Sequence, residues 1–230
     1  MPAPELVIFD CDGVLVDSEI IAARVEAALI TEAGYPIEPE TIMERYSGLT
    51  VKDMLVAIEQ ESGVPFQASL LDRMREETDR RLAADVRPVE GAARAVAAVR
   101  TPRCVCSNSR PQRIELMLGR TGLLPLFEGH IFSAQDPAVA RPKPAPDVFL
   151  HAAQSMGADP AKTFVIEDTV HGIAGARAAG MRVIGFTGGA HSFPGHADAL
   201  TEAGAETVIR RWAELDATLA ALSQWSEDLG

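Results

Sequence analysis

The stretch LVIFDCDGVLVDSE, residues 6–19, joins a short apolar run to a group of acids. Its first part, LVIFD at residues 6–10, has the length and the continuous apolar character of a strand that is buried on both faces. Asp10 and Asp12 follow two residues apart, so in extended backbone their side chains project from the same side. Two carboxylates this close repel each other unless a cation lies beside them, and oxygen ligands with no adjacent histidine favour Mg²⁺ over zinc.

Further apolar runs of strand length recur along the chain and alternate with helical patterns. The predicted strands are residues 6–10, 103–107, 130–134, 163–168, 181–186 and 206–209, and the predicted helices are residues 91–99, 111–120, 146–156 and 170–179. Strands that alternate with helices predict an α/β fold, a doubly wound (Rossmann-like) parallel sheet with its ligand site at the carboxyl ends of the strands. Asp10, Ser107 and Asp168 all stand at such ends.

Residues 17–85 interrupt this alternation with amphipathic helical patterns. Gly34 and Gly63 follow helical runs, and prolines come soon after each of them, which is typical of helix ends. We therefore expect a small α-helical domain, residues 17–85, inserted after the first strand of an α/β core that consists of residues 1–16 and 86–230.

The composition limits the partners that the chain can have. Its 230 residues are 47% hydrophobic, and 33 acidic against 21 basic residues give a formal net charge of −12. This charge repels nucleic acid and anionic lipid, so we expect neither as a partner. No apolar run approaches the roughly 20 residues of a membrane span, and the N-terminus lacks the basic region of a secretory signal. We therefore expect a cytoplasmic protein without a membrane partner, and a monomer by default.

The cysteines and histidines of the chain do not indicate a zinc site. There are three cysteines, an odd number, and the spacing of Cys104 and Cys106 is too short for the usual zinc ligand pairs. We expect these thiols to pack as small apolar residues. For His171, and for His191 and His196 in the stretch TGGAHSFPGH, we expect loop or helix-end roles.

Glu167 and Asp168 form a second acidic pair, at the end of the apolar run TFVIED. Either acidic pair alone could serve only to cap a following helix or turn, because Asp favours such positions. If the two strands are neighbours in the sheet, however, four acids converge on one point. We therefore expect a metal site to which Asp10, Asp12, Glu167 and Asp168 all contribute.

Four segments, in this order and spacing, resemble the phosphatase branch of the haloacid dehalogenase superfamily. They are DCDGVLVDSE (10–19), CSNS (106–109), RPKPAPDVF (141–149) and VIEDTVHGIAGARAAG (165–180). The helical insertion resembles the cap domain of that family, as in phosphoglycolate phosphatases, sugar-phosphate phosphatases and β-phosphoglucomutase, and we call it the cap. The resemblance implies a Mg²⁺-dependent phosphatase that acts on a small phosphorylated metabolite through an aspartyl-phosphate intermediate on Asp10.

The resemblance also implies roles for the acids. Asp10 would be the nucleophile and a metal ligand. Asp12 would be the general acid and base and would lend its backbone carbonyl to the metal, which leaves its side chain free to carry a proton. Asp168 would bind Mg²⁺ directly, and Glu167 would bind it directly or through water.

Ser107, Asn108 and Lys143 are the residues that the resemblance implies for phosphate binding. Ser107 ends a strand and precedes a helix, so its hydroxyl and the amide of Asn108 could donate to a phosphoryl oxygen. Taken alone, Ser-Asn is an ordinary turn, and a lysine in a proline-rich loop is usually solvated. The resemblance instead makes Ser107 and Lys143 catalytic, with Lys143 stabilising the transferring phosphoryl group and pairing with the acids.

Candidate substrate-binding residues lie in the cap loop RYSGLTVKD (45–53) and just beyond the CSNS motif. We expect closure of the cap to bring Arg45, Tyr46, Thr50 or Lys52 over the site, where they exclude bulk water and contact the leaving group. Arg110 could reach the substrate, although it could equally be a surface residue. Because arginine and lysine suit a carboxylate or a polyhydroxy group, the expected substrate is a sugar phosphate or a phosphorylated sugar acid.

Three alternatives fit parts of the pattern. Dehalogenases of this superfamily lack the second acid and the metal, so Asp12 argues against that reaction. A β-phosphoglucomutase-like mutase would share Gly48, but Ser47 and Val51 stand where that family has Lys and Arg, and Ile21 lies near the position of its hinge histidine. These differences favour water as the phosphoryl acceptor. A non-catalytic phosphate-binding protein is the third alternative, because a fold does not determine function.

Overall fold

Six parallel strands form one sheet in the computed structural model, which describes residues 4–46 and 49–225. The strands are β1 (Leu6–Phe9), β2 (Arg103–Ser107), β3 (Ile131–Ser133), β4 (Thr163–Glu167), β5 (Arg182–Phe186) and β6 (Thr207–Ile209). Their order, β3-β2-β1-β4-β5-β6, puts β1 between β2 and β4. The predicted doubly wound parallel sheet is confirmed, and each strand begins and ends within one residue of its expected bounds. Ser47 and Gly48, which enter the comparison with mutases, lie outside the described residues.

Ten α-helices lie in the described part of the chain. They are α1 (Glu19–Glu32), α2 (Pro39–Arg45), α3 (Val51–Ser62), α4 (Ala68–Asp85), α5 (Ala92–Ala98), α6 (Pro111–Arg120), α7 (Asp147–Met156), α8 (Val170–Ala178), α9 (His196–Glu202) and α10 (Leu215–Trp225). The sequence patterns predict α5 to α8 in the core but do not predict α9 and α10. None of these helices is long and apolar enough to cross a membrane.

Alternate residues of β1 pack on opposite faces of the sheet. Val7 and Phe9 belong to one apolar cluster, to which α5, α6 and α10 contribute. Leu6 and Ile8 belong to a second cluster, to which α7, α8 and α9 contribute. Because side chains alternate along a strand, a strand covered by helices on both faces requires a continuous apolar run.

Helices α1 to α4 pack around an apolar cluster of their own, separate from the two clusters of the sheet. Ile30 and Ile58 are fully buried in it. Thr50 is the N-cap of α3, where its hydroxyl accepts a hydrogen bond from an amide of the first turn. A separate apolar core supports a cap domain at residues 17–85, and the bounds of that domain stay a prediction.

Hydrogen bonds and salt bridges join α4 of the cap to α6 of the core. The carboxylate of Asp79 accepts a hydrogen bond from Nη2 of Arg110 and, at 2.7 Å, another from Nε of Arg113. Near the end of α4, the backbone carbonyl of Ala84 accepts from Nη2 of Arg120 at 3.1 Å. These contacts hold one side of the cap against the core.

Glu26 of α1 is partly buried near Arg113. Burial raises the pKa of its carboxyl to about 7, although attraction to Arg113 opposes the rise. Because this value lies above the ordinary 4.5, the folded state binds the proton more tightly than the unfolded state does. The stability that Glu26 contributes is therefore present below pH 4.5 and is lost as the pH rises through about 7.

Replacing Glu26 by glutamine should remove this pH dependence. We expect the free energy of unfolding of the wild type to fall, relative to that of E26Q, by on the order of 1 to 3 kcal/mol between about pH 5 and pH 8. Urea unfolding at a series of pH values measures the difference. Glu32→Gln on the same helix is the control, because Glu32 is exposed and its ion pair with Arg73 contributes little. Parallel stability curves for the wild type and E26Q would contradict the prediction.

Candidate active site

The carboxyl ends of β1 and β4 bring three of the predicted acids together at one edge of the sheet. The two strands are paired in register, so the residues that follow them leave the sheet side by side. Carboxylate oxygens of Asp10, Glu167 and Asp168 lie within 4.8 Å of one another, and all three residues are buried. The role of these acids as metal ligands stays a prediction.

Lys143 is buried among these acids and donates three hydrogen bonds. Its Nζ lies 2.5 Å from Oδ1 of Asp10, 2.8 Å from Oε2 of Glu167 and 2.9 Å from the carbonyl oxygen of Cys106. An ammonium group has three donors, so all of them are used. Burial alone would lower the pKa of Lys143, but the negative charges of Asp10 and Glu167 outweigh burial and raise this pKa above its ordinary value. One positive charge therefore lies among three carboxyl groups.

Asn108 holds the backbone of Lys143 with its side chain. Oδ1 of Asn108 accepts a hydrogen bond from the amide of Lys143 at 2.9 Å, and Nδ2 donates to the carbonyl oxygen of Lys143 at 3.3 Å. From the sequence, only the backbone amide of Asn108 is expected to contribute, as a phosphate donor. In the structure, the side chain of Asn108 also holds the loop that carries Lys143, through these two hydrogen bonds.

Asp12 lies outside the cluster of three acids and accepts hydrogen bonds from three serines. Ser18 donates to Oδ1 at 2.8 Å, while Ser107 and Ser109 donate to Oδ2 at 3.0 and 2.9 Å. Ser18 immediately precedes α1, so the entry into the cap contacts Asp12 directly. Ser109 has no role among the sequence-based expectations, although it lies in the CSNS motif.

Both carboxylate oxygens of Glu167 have protein partners. Oε2 accepts from Lys143, and Oε1 accepts from the amides of Asp168 and Thr169 at 3.2 and 3.1 Å and from the hydroxyl of Thr169 at 2.9 Å. The first turn of α8 needs a glycine here, because a Cβ at Gly172 would lie 2.0 Å from Cδ of Glu167. Glu167 is therefore held by the turn between β4 and α8 as well as by the lysine.

Asp168 differs from Glu167, because neither of its buried carboxylate oxygens has a hydrogen-bond partner among the described residues. Burial, and then the negative charge of Glu167, raise the pKa of Asp168 well above its ordinary value, and the same two causes raise the pKa of Asp10. An unpaired buried carboxylate is unfavourable unless a cation compensates for it. These unpartnered oxygens, within a set of oxygen donors, fit a divalent metal such as Mg²⁺.

Two histidines for which the sequence predicts loop or helix-end roles contact Asp168. Nε2 of His191 lies 2.9 Å from Oδ2 of Asp168, without the alignment of a hydrogen bond. Nε2 of His196, the first residue of α9, lies 2.7 Å from the backbone carbonyl oxygen of Asp168. The sequence does contain a signal for this arrangement. Both histidines follow β5, the neighbour of β4, so their segment leaves the sheet at the same edge as Asp168.

The four candidate substrate-binding residues have no hydrogen bond or ion pair with the clustered acids in the part of the chain that the structure describes. Arg45 donates to Oε2 of Glu61 at 2.8 Å, within the cap. Thr50 caps α3, and Lys52 is exposed on the first turn of that helix. Arg110 belongs to the salt bridge with α4. Their roles in substrate binding stay predictions.

Comparison with known proteins identifies the family. The family model described as haloacid dehalogenase-like hydrolase matches residues 4–180. A 6-phosphogluconate phosphatase of Escherichia coli (strain K12) is 31% identical over 191 residues, which span 83% of this chain and 86% of that protein.

Solved structures agree with this match. A haloacid dehalogenase-like protein of unknown function from Agrobacterium tumefaciens is 54% identical, with a TM-score of 0.91 and coverage of 96% of this chain and 100% of that one. A family hydrolase from Deinococcus radiodurans, solved with bound phosphate and sodium, is 34% identical, with a TM-score of 0.80 and coverage of 95% and 96%. The resemblance inferred from the four motifs is confirmed, and the chain belongs to the haloacid dehalogenase-like hydrolase family.

Proposed function

We propose that this protein is a Mg²⁺-dependent phosphatase for a sugar phosphate or a phosphorylated sugar acid, and that Asp10 carries the phosphoryl group as an aspartyl phosphate. The observation that carries the proposal is the buried cluster in which Lys143 lies among the carboxyls of Asp10, Glu167 and Asp168. Membership of a hydrolase family, and similarity to a protein named as a 6-phosphogluconate phosphatase, support hydrolysis of a phosphomonoester.

The carboxylates of Asp10 and Asp168 would hold the metal, together with the backbone carbonyl of Asp12 and with Glu167. The unpartnered oxygens of Asp168 support this arrangement. Both oxygens of Glu167 already accept hydrogen bonds, which supports contact through water rather than direct ligation. Bound there, Mg²⁺ neutralises charge on the phosphoryl oxygens.

Asp10 attacks phosphorus in the proposed reaction. A carboxylate nucleophile divides the hydrolysis into two displacements, of which the first forms the aspartyl phosphate and releases the alcohol, and the second releases phosphate by attack of water. Lys143 fixes the orientation of the Asp10 carboxylate through their 2.5 Å hydrogen bond. It also brings a permanent positive charge beside the transferred group.

Asp12 transfers the protons of both steps. Its carboxyl protonates the leaving oxygen in the first step and accepts a proton from water in the second. Hydrogen bonds from Ser18, Ser107 and Ser109 support this role, because they fix the orientation of the Asp12 carboxyl.

The substrate class rests on three basic residues that the sequence proposes for substrate binding, and on the relative. Arg45 and Lys52 of the cap and Arg110 of the core are partly or fully exposed. A guanidinium or ammonium group suits the carboxylate or the hydroxyl groups of a sugar acid. The relative named as a 6-phosphogluconate phosphatase acts on a substrate of this chemical class by its name, which supports the same class here.

Replacing Asp10 by asparagine should abolish turnover while the protein stays folded, because an amide does not attack phosphorus. We expect Mg²⁺-dependent hydrolysis of p-nitrophenyl phosphate to fall by at least about 1,000-fold. Asp216→Asn, at an exposed position of α10, is the matched control and should keep wild-type activity. Mass spectrometry of the quenched reaction should detect one phosphoryl group on the wild type and none on D10N. Near-normal turnover by D10N would show that Asp10 is not the nucleophile.

Replacing Lys143 by methionine should destabilise the metal-free protein, because two buried carboxyls lose their shared cation. We expect the free energy of unfolding to fall by about 3 to 5 kcal/mol, measured by urea unfolding in EDTA near neutral pH. Lys162→Met is the matched control, since it removes a lysine that pairs with Glu5 at 2.8 Å in a partly exposed site. Lys162→Met should lower the free energy of unfolding by less than about 1 kcal/mol. Equal decreases in the free energy of unfolding of the two variants would show that the buried pairing of Lys143 contributes no more to stability than a partly exposed ion pair.

A panel of phosphorylated metabolites, assayed with Mg²⁺ at low substrate concentration, tests the substrate class. We expect kcat/KM for sugar phosphates or phosphorylated sugar acids to exceed that for p-nitrophenyl phosphate. Arg45→Met should lower kcat/KM for the preferred substrate by about tenfold, which is ~1.4 kcal/mol. Arg80→Met removes another exposed, paired arginine of the cap and should have no such effect. Equal weak rates across the whole panel would rule out specificity from the cap.

A further inference from the structure

The stretch TGGAHSFPGH, residues 187–196, runs from the end of β5 into α9, and we call it the histidine loop. It is fixed to the entry of the cap, because the amide of Ala190 donates to Oδ1 of Asp17 at 2.7 Å. It also lies against the first acidic motif, since a Cβ at Gly189 would come within 2.5 Å of the carbonyl oxygen of Gly13. These contacts hold the loop beside the acids that follow β4.

His196 fixes the backbone of Asp168. A carbonyl oxygen only accepts, so Nε2 of His196 must donate in the 2.7 Å contact between them. Nδ1 of His196 then accepts from the hydroxyl of Ser192, also at 2.7 Å. The ring of Phe193 stacks on that of His196 with their centroids 4.8 Å apart. Hydrogen bonds and packing together therefore determine the tautomer and the orientation of His196.

His191 faces the side chain of Asp168 from the same loop. Its Nε2 lies 2.9 Å from Oδ2 of Asp168, and both residues are buried. Nδ1 of His191 and both carboxylate oxygens of Asp168 have no hydrogen-bond partner among the described residues. The backbone of Gly13 packs directly against both side chains of the pair. A Cβ there would lie 2.0 Å from Oδ2 of Asp168 and 2.7 Å from Cε1 of His191. Buried polar atoms are nearly always paired in folded proteins, so three buried atoms without hydrogen-bond partners in one pair of side chains are unusual.

We propose that His191 is a positioning residue of the metal site: its Nε2, which lies 2.9 Å from Oδ2 of Asp168 but is not aligned with it, turns to donate a hydrogen bond to Oδ2 when the cation is bound and leaves Oδ1 to the cation. The inference rests on the proposed function, because it requires a cation at Asp168. Carboxylates that bind metals are oriented by hydrogen bonds of this kind, and loss of the donor lowers metal affinity by about 10- to 100-fold. His191 and His196 then act on the same ligand, one on its side chain and the other on its backbone.

Binding of Mg²⁺ to the full chain, measured by isothermal titration calorimetry, tests this role without reference to turnover. We expect H191A to weaken Mg²⁺ binding by about 10- to 100-fold. H191Q should stay within a few-fold of the wild type, because the side-chain amide of glutamine also donates from an N–H. H130A is the matched control, since His130 is exposed and precedes β3, at the amino ends of the strands.

Thermal unfolding in EDTA establishes that each variant is folded. If H191A is not folded, His191→Met takes its place, because methionine retains much of the side-chain volume but has no N–H donor. Unchanged Mg²⁺ affinity in the donor-free variant would overturn the proposal, and so would an H191Q variant that binds as weakly. Coupling to an imidazole nitrogen in the electron paramagnetic resonance spectrum of the Mn²⁺-loaded wild type would also overturn it, because His191 would then be a ligand.

The variant Asp168→Asn distinguishes failure of this inference from failure of the proposed function. If D168N binds Mg²⁺ as tightly as the wild type does, the proposed metal site is wrong, and the role of His191 falls with it. If D168N binds weakly while H191A binds normally, only the role of His191 is rejected. Weak binding by both D168N and H191A, with recovery in H191Q, is the result that we expect.

Discussion

Charge balance at the carboxyl edge of the sheet is the constraint on which the rest of the structure depends. The buried carboxyls of Asp10, Glu167 and Asp168 lie together, and the ammonium group of Lys143 pairs with the first two of them. If all four groups are ionised, two negative charges are left uncompensated, which is the charge that a divalent cation neutralises. The pKa values of Asp10 and Asp168 are raised, first by burial. Bound protons are therefore the alternative to a cation for neutralising these carboxylates. Such a cluster is stable only with a cation or with bound protons.

The fold supports this cluster with backbone that approaches the carboxylates closely. Parallel pairing of β1 with β4 brings Asp10 beside Glu167, the last residue of β4, and Asp168, which follows it. At Gly13, where φ is +74°, and at Gly172, a Cβ would lie 2.0 Å from an atom of Asp168 or of Glu167. A larger residue at either glycine would displace a carboxylate. The two motif glycines are therefore requirements of the acid cluster as well as of local turns.

The residues that lead into α1 contact Asp12 and the histidine loop, both of which lie beside this cluster. Ser18 donates to Asp12, and Asp17 accepts from the histidine loop that contacts Asp168. Glu19 begins α1, and burial, followed by the negative charge of Asp12, raises the pKa of Glu19 to about 8. The residues that lead into α1 therefore contact both the proposed proton donor and the loop beside the proposed metal ligand. The salt bridges between α4 and α6 hold a second side of the cap to the core.

The sequence by itself determined the parallel sheet, the helices α5 to α8 and the edge at which the acids meet. A continuous apolar run such as LVIFD is most stable as a strand buried on both faces, and parallel strands bring their carboxyl ends to one edge. The meeting of Asp10 with Asp168 also requires β1 and β4 to be neighbours, which the strand order of the structure provides. Only the tertiary structure decided the partners of Asn108 and Arg110, and the presence of α9 and α10. These features depend on how segments distant in the chain pack together, and no local pattern of residues contains that information.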